Sequence, residues 1–314
     1  MMLVSPDKTA DFQTIQQAVD SLPKDNPTPA VIHLAPGIYR EKLIVDRPNV
    51  TLLGENAEKT VITWGDGAKK RMPDGTEMGT FRSYSVHILG NDFHAENITF
   101  ENTAGPGSLA GQAVAVGVDA DRAIFRSCRF LGHQDTLFTG SKPPKMGLSD
   151  PEYEKTRLRQ YFENCYICGD IDFIFGSSAT VFQSCKIHSV SRGYVTAAST
   201  PKDQRYGYVF RGCTLTGDSG EATVFLGRPW RDFAKTVYIG CTLGAHIKPE
   251  GWNDWNKKDA VENTVFYAEF GSTGPGSAGK RAPWAKQLTE EQAAQLTAET
   301  VLAGNDAWNP LLPR

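Results

Sequence analysis

The sequence predicts an all-β protein, a single-stranded right-handed parallel β-helix whose successive coils stack along one axis. Two observations lead to this class: a short pattern recurs along the chain, and cysteines occupy the same position in most of its copies. The pattern reads small or polar, apolar, polar, apolar, and apolar residues at period two mark a strand with one buried face. Its copies begin at Asn49, Asn97, Ser127, Asn164, Ser184, Gly212 and Gly240.

The spacing of the copies favours a solenoid with variable loops. The shortest interval is 20 residues, from Asn164 to Ser184, and the longest is 48 residues, from Asn49 to Asn97. A solenoid tolerates such variation because its loops change length while its core strands keep their register. An antiparallel sandwich stays open as the alternative, although the dipeptide turns typical of hairpins are scarce between the strands.

The repeated cysteines predict a ladder of small side chains in a dry interior. Equivalent positions in stacked layers give a linear array, whereas a zinc site needs a tetrahedral cage. The one short spacing, Cys165 to Cys168, is isolated. We therefore expect free thiols rather than a disulfide framework or a metal site. The ladder comprises Cys128, Cys165, Cys185, Cys213 and Cys241.

Helical caps are predicted at both ends of a single domain that spans residues 1–314. Apolar residues at helical spacing indicate an amphipathic helix over about 11–22, which would cover the edge of the first coil. The C-terminal part, about 271–314, is expected to hold a loop over 272–279, a helix within 288–302 and a tail. The segment 141–156 interrupts the repeat and is expected to flank the groove.

Composition excludes several classes of function. The net charge is −3, with 33 Lys and Arg against 36 Asp and Glu, so the chain has no nucleic-acid footprint. No apolar run approaches the length that spans a membrane. The N-terminus lacks the basic and apolar regions of a secretion signal, so the protein is either cytoplasmic or has lost a leader.

Two aspartates are the leading candidates for chemistry. Asp135 and Asp172 each follow a strand of the repeat that contains a ladder cysteine. If these strands are successive layers, both carboxyl groups emerge on the same face, a few ångströms apart. Such a pair can divide its roles, one carboxylate ionised and nucleophilic and the other protonated and acidic. The pattern therefore indicates hydrolysis without a metal or a serine.

Further polar and aromatic residues are candidates for assisting the two aspartates or for binding substrate. Gln112 and Gln134 carry amides that can donate to a developing oxyanion, and Arg228 can hold a carboxylate ionised. Trp230 and Trp252 can offer flat apolar faces to sugar rings. A buried core tryptophan is the alternative reading, as it is for Trp255.

Five short motifs occur in order along the chain: Gly37-Ile38-Tyr39-Arg40-Glu41, Gln112-Ala113-Val114-Ala115, Gln134-Asp135-Thr136-Leu137, Asp172-Phe173-Ile174-Phe175-Gly176 and Leu226-Gly227-Arg228-Pro229-Trp230. Any one of these motifs alone would be a weak signal. With all five in order, the chain resembles the pectin methylesterases along nearly its whole length, a family of carbohydrate esterases with a right-handed parallel β-helix.

The resemblance implies a role for each matching residue. Asp172 would be the nucleophile and Asp135 the acid that later acts as base. Gln112 and Gln134 would line the oxyanion site, and Arg228 would pair with Asp172 and contact substrate. The first motif is expected to be structural. The residues expected to bind substrate are Thr80, Gln112, Phe138, Phe175, Arg228, Trp230 and Trp252.

The same resemblance implies pectin as the partner, no cofactor or metal, and a monomer that is secreted or periplasmic. The chain departs from many members at Val116-Gly117 and at Phe138, where a tyrosine is frequent, which bears on the preferred methylation pattern. Three alternatives stay open: a pectate lyase, a polygalacturonase, and a non-catalytic polysaccharide-binding solenoid. A lyase would need a calcium-binding acid cluster, for which Asp170 beside Asp172 is the only dense acid pair.

Overall fold

The computed structural model describes residues 2–7, 10–143, 150–155 and 157–312. Its strands in the first half are β1 Met2–Val4, β2 Ala30–Leu34, β3 Gly37–Arg40, β4 Leu43–Val45, β5 Val50–Gly54, β6 Thr60–Trp64, β7 Val86–Ile88, β8 His94–Glu96, β9 Thr99–Asn102, β10 Val116–Val118, β11 Ala123–Arg126, β12 Arg129–Leu131 and β13 Leu137–Thr139. In the second half they are β14 Arg159–Glu163, β15 Tyr166–Gly176, β16 Ala179–Gln183, β17 Lys186–Ala198, β18 Tyr208–Arg211, β19 Thr214–Gly217, β20 Val224–Pro229, β21 Lys235–Ile239, β22 Thr242–Leu243, β23 Phe266–Phe270 and β24 Lys286–Gln287.

Short helices and helical turns lie in the segments that connect or follow these strands. The α-helices are α1 Ile15–Asp20, α2 Gly107–Ala110, α3 Pro151–Lys155, α4 Lys258–Asn263, α5 Glu290–Ala294 and α6 Ala298–Leu302. Two 3₁₀ turns cover Thr80–Arg82 and Pro275–Ser277. Residues 144–149 and 156 of the expected groove-flanking segment lie outside the described residues.

All the strands pair in parallel and form a stack of coils with three faces. Face A is a sheet of 11 strands, from β1 and β2 through β11, β14 and β16 to β24. The other sheet has 13 strands and folds into two faces that share the long strands β15 and β17. Face B carries β3, β6, β9, β12, β19 and β22, and face C carries β4, β7, β10, β13 and β20. The parallel β-helix is thus confirmed, and the antiparallel sandwich is wrong.

The predicted repeat is confirmed for six of its seven copies. Arg129 pairs with Thr99 and with Tyr166, and the same register continues along face B through Lys186, Thr214 and Thr242. The first copy is wrong: Asn49 directly precedes β5, which pairs on face A. The reason is that Asn49 and Asn97 adopt the same left-handed backbone, with φ of 60° and 57°, at different corners of the coil.

The cysteine ladder is confirmed as buried free thiols. Cys128, Cys165, Cys185, Cys213 and Cys241 all belong to the main apolar core and are at most 1% exposed. Each Sγ lies 3.3 to 3.6 Å from two backbone carbonyl oxygens, one of the residue two positions earlier and one in the preceding coil. Cys168 is also a buried free thiol but lies outside that core.

The N-terminal cap is confirmed, with a shorter helix than expected. Thr14 is the N-cap residue and exchanges capping hydrogen bonds with Gln17, so α1 begins at Ile15. Glu41 accepts hydrogen bonds from the first amides of the helix, at Ile15 and Gln16, each 2.9 Å long. This contact gives the first motif, β3 with Glu41, the structural role predicted for it.

The predicted C-terminal cap is wrong in position. Thr297 is an N-cap that divides the expected helix into α5 and α6. Their apolar residues Ala293, Val301 and Leu302 pack on the outer side of face A against residues such as Tyr161 and Val181. These helices therefore cover the flank of the solenoid, since face A presents apolar side chains outward there.

Candidate active site

The two aspartates occupy the corner between faces B and C in successive coils. The backbone amide of Asp135 donates to the carbonyl of Ile171 at 3.1 Å, which places Asp135 beside Asp172. Both residues have left-handed backbones, with φ of 64° and 52°, and both are buried, at 8% and 7% exposure. Aspartate tolerates this conformation better than most residues, so the corner turns both carboxyls the same way.

Arg228 holds Asp172 through a bidentate ion pair. Its Nε donates to Oδ1 at 2.9 Å and its Nη2 donates to Oδ2 at 2.7 Å. Arg228 lies on β20, and Ala197 of β17 pairs between it and Phe175 of β15. The small side chain of Ala197 leaves room for the guanidinium to reach across the intervening coil.

Two aromatic rings enclose the guanidinium of Arg228. Its central carbon lies 3.8 Å from the ring centroid of Tyr194 and 3.7 Å from that of Trp255. A flat cation between two π faces is restrained in its plane and loses little on desolvation. Sequence reasoning missed Tyr194 in this role and weighed Trp255 as a core residue, because nothing local links either to Arg228.

The eight site residues predicted from the sequence that line one cavity of about 310 Å³ are Thr80, Gln112, Gln134, Asp135, Asp172, Phe175, Arg228 and Trp230. Phe81, Ala197 and Trp255 line it as well and were not predicted. The residues come from at least five successive coils, those that hold β10, β13, β15, β17 and β20, which explains why they are scattered along the chain.

Phe138 does not line the cavity but packs behind two residues that do, Phe81 and Phe175. Its ring is 2% exposed and packs against Phe175, with centroids 5.0 Å apart, and against Phe81 at the same separation. Phe175 in turn contacts the ring of Trp230 at 5.8 Å. The prediction that Phe138 contacts substrate is therefore wrong in this structure, since the neighbouring rings cover it.

The prediction for Trp252 is also wrong. Its side chain is 2% exposed and packs in the core against Tyr238 and Tyr267, with centroid distances of 5.7 and 4.6 Å. The backbone of Trp252 pairs with Gly227, and its side chain turns into the coil. Trp255, three residues further on, reaches the cavity instead.

The two glutamine amides face the cavity from the side of Asp135. No hydrogen bond to a described residue engages the side-chain amide of Gln112 or Gln134. Helix α2 lies close against Gln134: a methyl group at Gly107 would come within 2.4 Å of Oε1. Both amides are therefore available to a ligand, and Gly107 leaves the space that Gln134 occupies.

The electrostatics of the two carboxyls differ. Burial raises the pKa of Asp135 well above its usual value, and the charge of Asp172 raises it further. Burial also raises the pKa of Asp172, but the hydrogen bonds and charge of Arg228 oppose that rise. The pKa is therefore raised more for Asp135 than for Asp172, which favours the proton on Asp135 and the charge on Asp172.

No group of three or more His, Cys, Asp and Glu side chains in the described part of the chain could hold a metal ion. The carboxylate of Asp170 has other partners: it approaches His133 Nδ1 at 3.3 Å and accepts from the amide of Ile171. Among the described helices, none has the length and apolar character needed to cross a bilayer.

The fold and the cavity place the protein in the class of parallel β-helix proteins with an acidic, aromatic-lined groove. The pectinesterase family profile matches residues 1–305. Pectinesterase 31 of Arabidopsis thaliana is 40% identical over 301 residues, which cover 93% of this chain and 89% of that protein. The chain belongs to the pectinesterase family, and it is a carboxylic ester hydrolase.

Solved structures agree with this assignment. The pectin methylesterase from carrot is 32% identical, with a TM-score of 0.82 over 97% of this chain and 93% of that chain. Pectin methylesterase PemA from Erwinia chrysanthemi is 30% identical, with a TM-score of 0.81 over 99% and 98% of the two chains. The expected right-handed parallel β-helix is confirmed.

Proposed function

We propose that this protein is a pectin methylesterase: it hydrolyses the C6 methyl ester of polygalacturonate to methanol and a free carboxylate. The observation that carries the proposal is the pair of buried carboxyls, with Arg228 bound in bidentate fashion to Asp172 and no such partner on Asp135. This asymmetry supplies a nucleophile and an acid side by side. A solved pectin methylesterase in complex with a hexasaccharide, 30% identical and with a TM-score of 0.82, supports the choice of a polysaccharide substrate.

In the first step the Asp172 carboxylate attacks the ester carbonyl carbon. The carbonyl oxygen becomes an oxyanion, to which the amides of Gln112 and Gln134 donate hydrogen bonds. Losing one such donor typically costs about 2.7–4 kcal/mol of barrier. As the intermediate collapses, the C–O bond to the methoxy group breaks and Asp135 delivers its proton to the departing methanol. An acyl-enzyme anhydride on Asp172 remains.

In the second step water resolves the anhydride. Asp135, now a carboxylate, takes a proton from the water, and the resulting hydroxide attacks the substrate carbonyl. The anhydride C–O bond breaks, Asp172 leaves as a carboxylate, and Asp135 is protonated again. Arg228 stabilises the charge on Asp172 at the start and end of this cycle, and no redox partner or metal is required.

Substrate binding falls to the residues around the reacting groups. The rings of Trp230 and Phe175 contact each other and line the cavity that holds the pair, and Thr80 lines the same cavity. Apolar ring faces suit the hydrogen-bearing faces of sugars. We assign these three residues, with Gln112 and Arg228, to binding the ester-bearing unit.

Several further properties are part of the proposal. The chain would act as one domain and as a monomer, without a cofactor. Because its substrate is a wall polysaccharide, the protein would work outside the cytoplasm, secreted or periplasmic. The buried apolar core that runs continuously along the coils supports the single domain.

Methyl-esterified pectin distinguishes the proposal from its alternatives. We expect stoichiometric methanol and acid; an unsaturated uronide would indicate a lyase, shorter chains a polygalacturonase, and no change a binding protein. Asp172→Asn and Asp135→Asn should each fold and lose nearly all methanol release, since an amide neither attacks nor shuttles a proton. Asp218→Asn, an exposed carboxylate beside His188, is the control and should keep full activity. Near-wild-type turnover in either site variant would overturn the role assigned to it.

A further inference from the structure

A large cavity lies against the outer side of face A, away from the corner that holds the active site. It has a volume of about 480 Å³ and shares no described residue with the active-site cavity. Val209 and Val237, which pair in neighbouring coils, line it from the sheet, and Phe266 lines it in the next coil. Leu288 and Leu296, which flank α5, line it as well. The cavity is therefore a space left between face A and helix α5.

Positive charge is concentrated in this cavity. Every charged side chain that lines it in the described part of the chain is a cation: Arg205, Lys235 and Lys286. None of the three has a carboxylate within ion-pair distance among the described residues. Burial lowers the pKa of Lys235, although the charge of Asp203 opposes that shift. The whole chain carries a net charge of −3, so this cluster is a local departure. An anionic ligand would supply the counterions that the cavity lacks.

Aromatic and amide groups accompany the cations. The central carbon of the Arg205 guanidinium lies 4.9 Å from the ring centroid of Tyr206, and Nζ of Lys286 lies 5.1 Å from that of Phe266. The side-chain amide of Gln295 also lines the cavity and has no hydrogen-bond partner among the described residues. Ring surface suits the apolar faces of sugars, an amide suits their hydroxyls, and a cation suits a carboxylate. This combination matches a sugar that bears an acid group.

A neighbouring cavity of about 750 Å³ continues the space along face A. The two cavities share Arg205 and Tyr206, and the second extends to Arg159. Arg159 is itself bound by Asp121 and Asp306, so it adds no available charge. Together the two cavities, here called the face A trough, extend over five strands from β14 to β23, about 19 Å at the usual interstrand spacing of about 4.8 Å. A ligand that fills this length is a chain of several sugar units.

We propose that the face A trough is a second carbohydrate-binding site, which holds a stretch of acidic polysaccharide at a distance from the active site. The proposal rests on the esterase function, because that function makes polygalacturonate the acidic polymer that the protein meets. Free carboxylates of the polymer would pair with Arg205, Lys235 and Lys286, whereas methyl-esterified units carry no charge to pair with them. The site would retain the enzyme on a polymer that the active site engages elsewhere, which raises the effective concentration of ester groups.

Binding to fully de-esterified polygalacturonate tests the site directly. Arg205, Lys286 and Gln295 are exposed, so their substitution should leave the fold intact. The double variant Arg205→Gln and Lys286→Gln should bind the polymer roughly two- to fivefold more weakly per charge removed, as measured by affinity electrophoresis at low salt. Gln295→Glu places a negative charge at the same cavity with little change in shape and should weaken binding by a similar factor. Raising the salt concentration should narrow both differences.

Turnover separates the trough from the active site. In the double variant the KM for long, partly esterified pectin should rise with little change in kcat. The KM for methyl-esterified oligomers too short to reach both sites should rise less. Equal rises on the two substrates would refute a second site remote from the first. Absence of methanol release by the wild type would instead refute the esterase function, and the binding measurement would still report on the trough.

Two controls address general charge effects. Arg40→Gln with Lys186→Gln removes two exposed cations from face B and should leave binding of polygalacturonate unchanged. Polyglutamate of similar length carries carboxylates without sugar rings, so it should bind more weakly and lose less affinity in the double variant. The site is refuted if the site and control variants weaken binding equally, or if neither weakens it. Equal losses for the two polymers would show that the trough recognises charge alone and would refute a carbohydrate site.

Discussion

The guanidinium of Arg228 binds both carboxylate oxygens of Asp172, at 2.9 and 2.7 Å, while two aromatic rings hold its faces. An arginine so placed has little freedom to leave, because every direction of movement breaks either a hydrogen bond or a ring contact. The charge of Asp172 is thereby stabilised at a buried position where a lone carboxylate would be costly. Asp135 has no arginine partner of this kind, so its pKa is raised more than that of Asp172.

Removing Arg228 should shift the acid limb of the pH profile. Arg228 lowers the pKa of Asp172 against the effect of burial, so Arg228→Ala should raise that pKa. A group that must be ionised then loses its charge at a higher pH, and the acid limb of kcat/KM on methylated pectin should move upward. A variant with wild-type turnover and an unshifted acid limb would show that Arg228 is not the partner of Asp172.

The aromatic rings around Arg228 should affect catalysis by holding its guanidinium in place beside Asp172. Trp255→Ala removes one face of the enclosure and should lower kcat and move the acid limb in the same direction as Arg228→Ala, by a smaller amount. Loss of a cation–π contact of this kind is worth about 0.5–2 kcal/mol. Trp255→Phe keeps a π face and should restore most of the activity. If the alanine and phenylalanine variants behave alike, the ring does not position the guanidinium.

Asp135→Asn should stabilise the protein at neutral pH while abolishing turnover. Burial and the charge of Asp172 raise the pKa of Asp135, so the folded state keeps this proton after the unfolded chain has lost it. Stability therefore falls as pH rises from about 4 through the folded pKa, and asparagine avoids that loss. We expect a gain of about 1–2 kcal/mol at pH 7 that vanishes below about pH 4, as measured by urea unfolding.

Asp172→Asn provides the contrast to this stability prediction. It removes the anionic partner of Arg228, and charge-assisted hydrogen bonds contribute about 1.5–3 kcal/mol. The variant should therefore be less stable than the wild type at pH 7. Equal effects of the two substitutions on the free energy of unfolding would contradict the asymmetry between the carboxyls.

Gly107→Ala should impair catalysis without unfolding the protein. The added methyl group would meet Gln134 at 2.4 Å from Oε1 and 2.9 Å from Cβ, so the amide must move from its place in the cavity. We expect a loss of about tenfold or more in kcat, below the roughly 10²–10³ seen when an oxyanion donor is removed outright. Ser108→Ala, the next residue of α2, is exposed and serves as the control. Unchanged kcat would show that Gln134 tolerates displacement.

The cysteine ladder should contribute to stability and not to redox chemistry. Burial raises the pKa of the Cys185 thiol, which keeps it protonated and unreactive. Cys213→Ser buries a hydroxyl, but carbonyl oxygens of Phe182 and Arg211 lie near Sγ at 3.3 and 3.6 Å. The cost should therefore be modest, about 1 kcal/mol. Dithiothreitol should leave both the melting temperature and the activity of the wild type unchanged, and a large drop on reduction would reveal a disulfide.

The sequence by itself determined the coil stack and the reacting groups. Period-two apolar residues after each small or polar residue predict strands with one buried face, and the aligned cysteines establish which strands are neighbours. From that alignment Asp135 and Asp172 follow as neighbours, because parallel strands in register place equivalent positions side by side. The family motifs added Gln112, Gln134 and Arg228, which the structure brings to the same cavity.

The tertiary structure alone decided which residues surround those groups. Trp252 and Trp255 have similar local sequences, yet one enters the core and the other covers Arg228, because the turns between them depend on packing against later coils. Tyr194 reaches Arg228 only through the stacking of β17 and β20. The pattern at Asn49 resembles that at Asn97 because both corners of the coil place a left-handed residue before a strand. Local sequence predicts the left-handed residue but not which corner it occupies. Only the pairing of the strands in the assembled stack decides which face each strand joins.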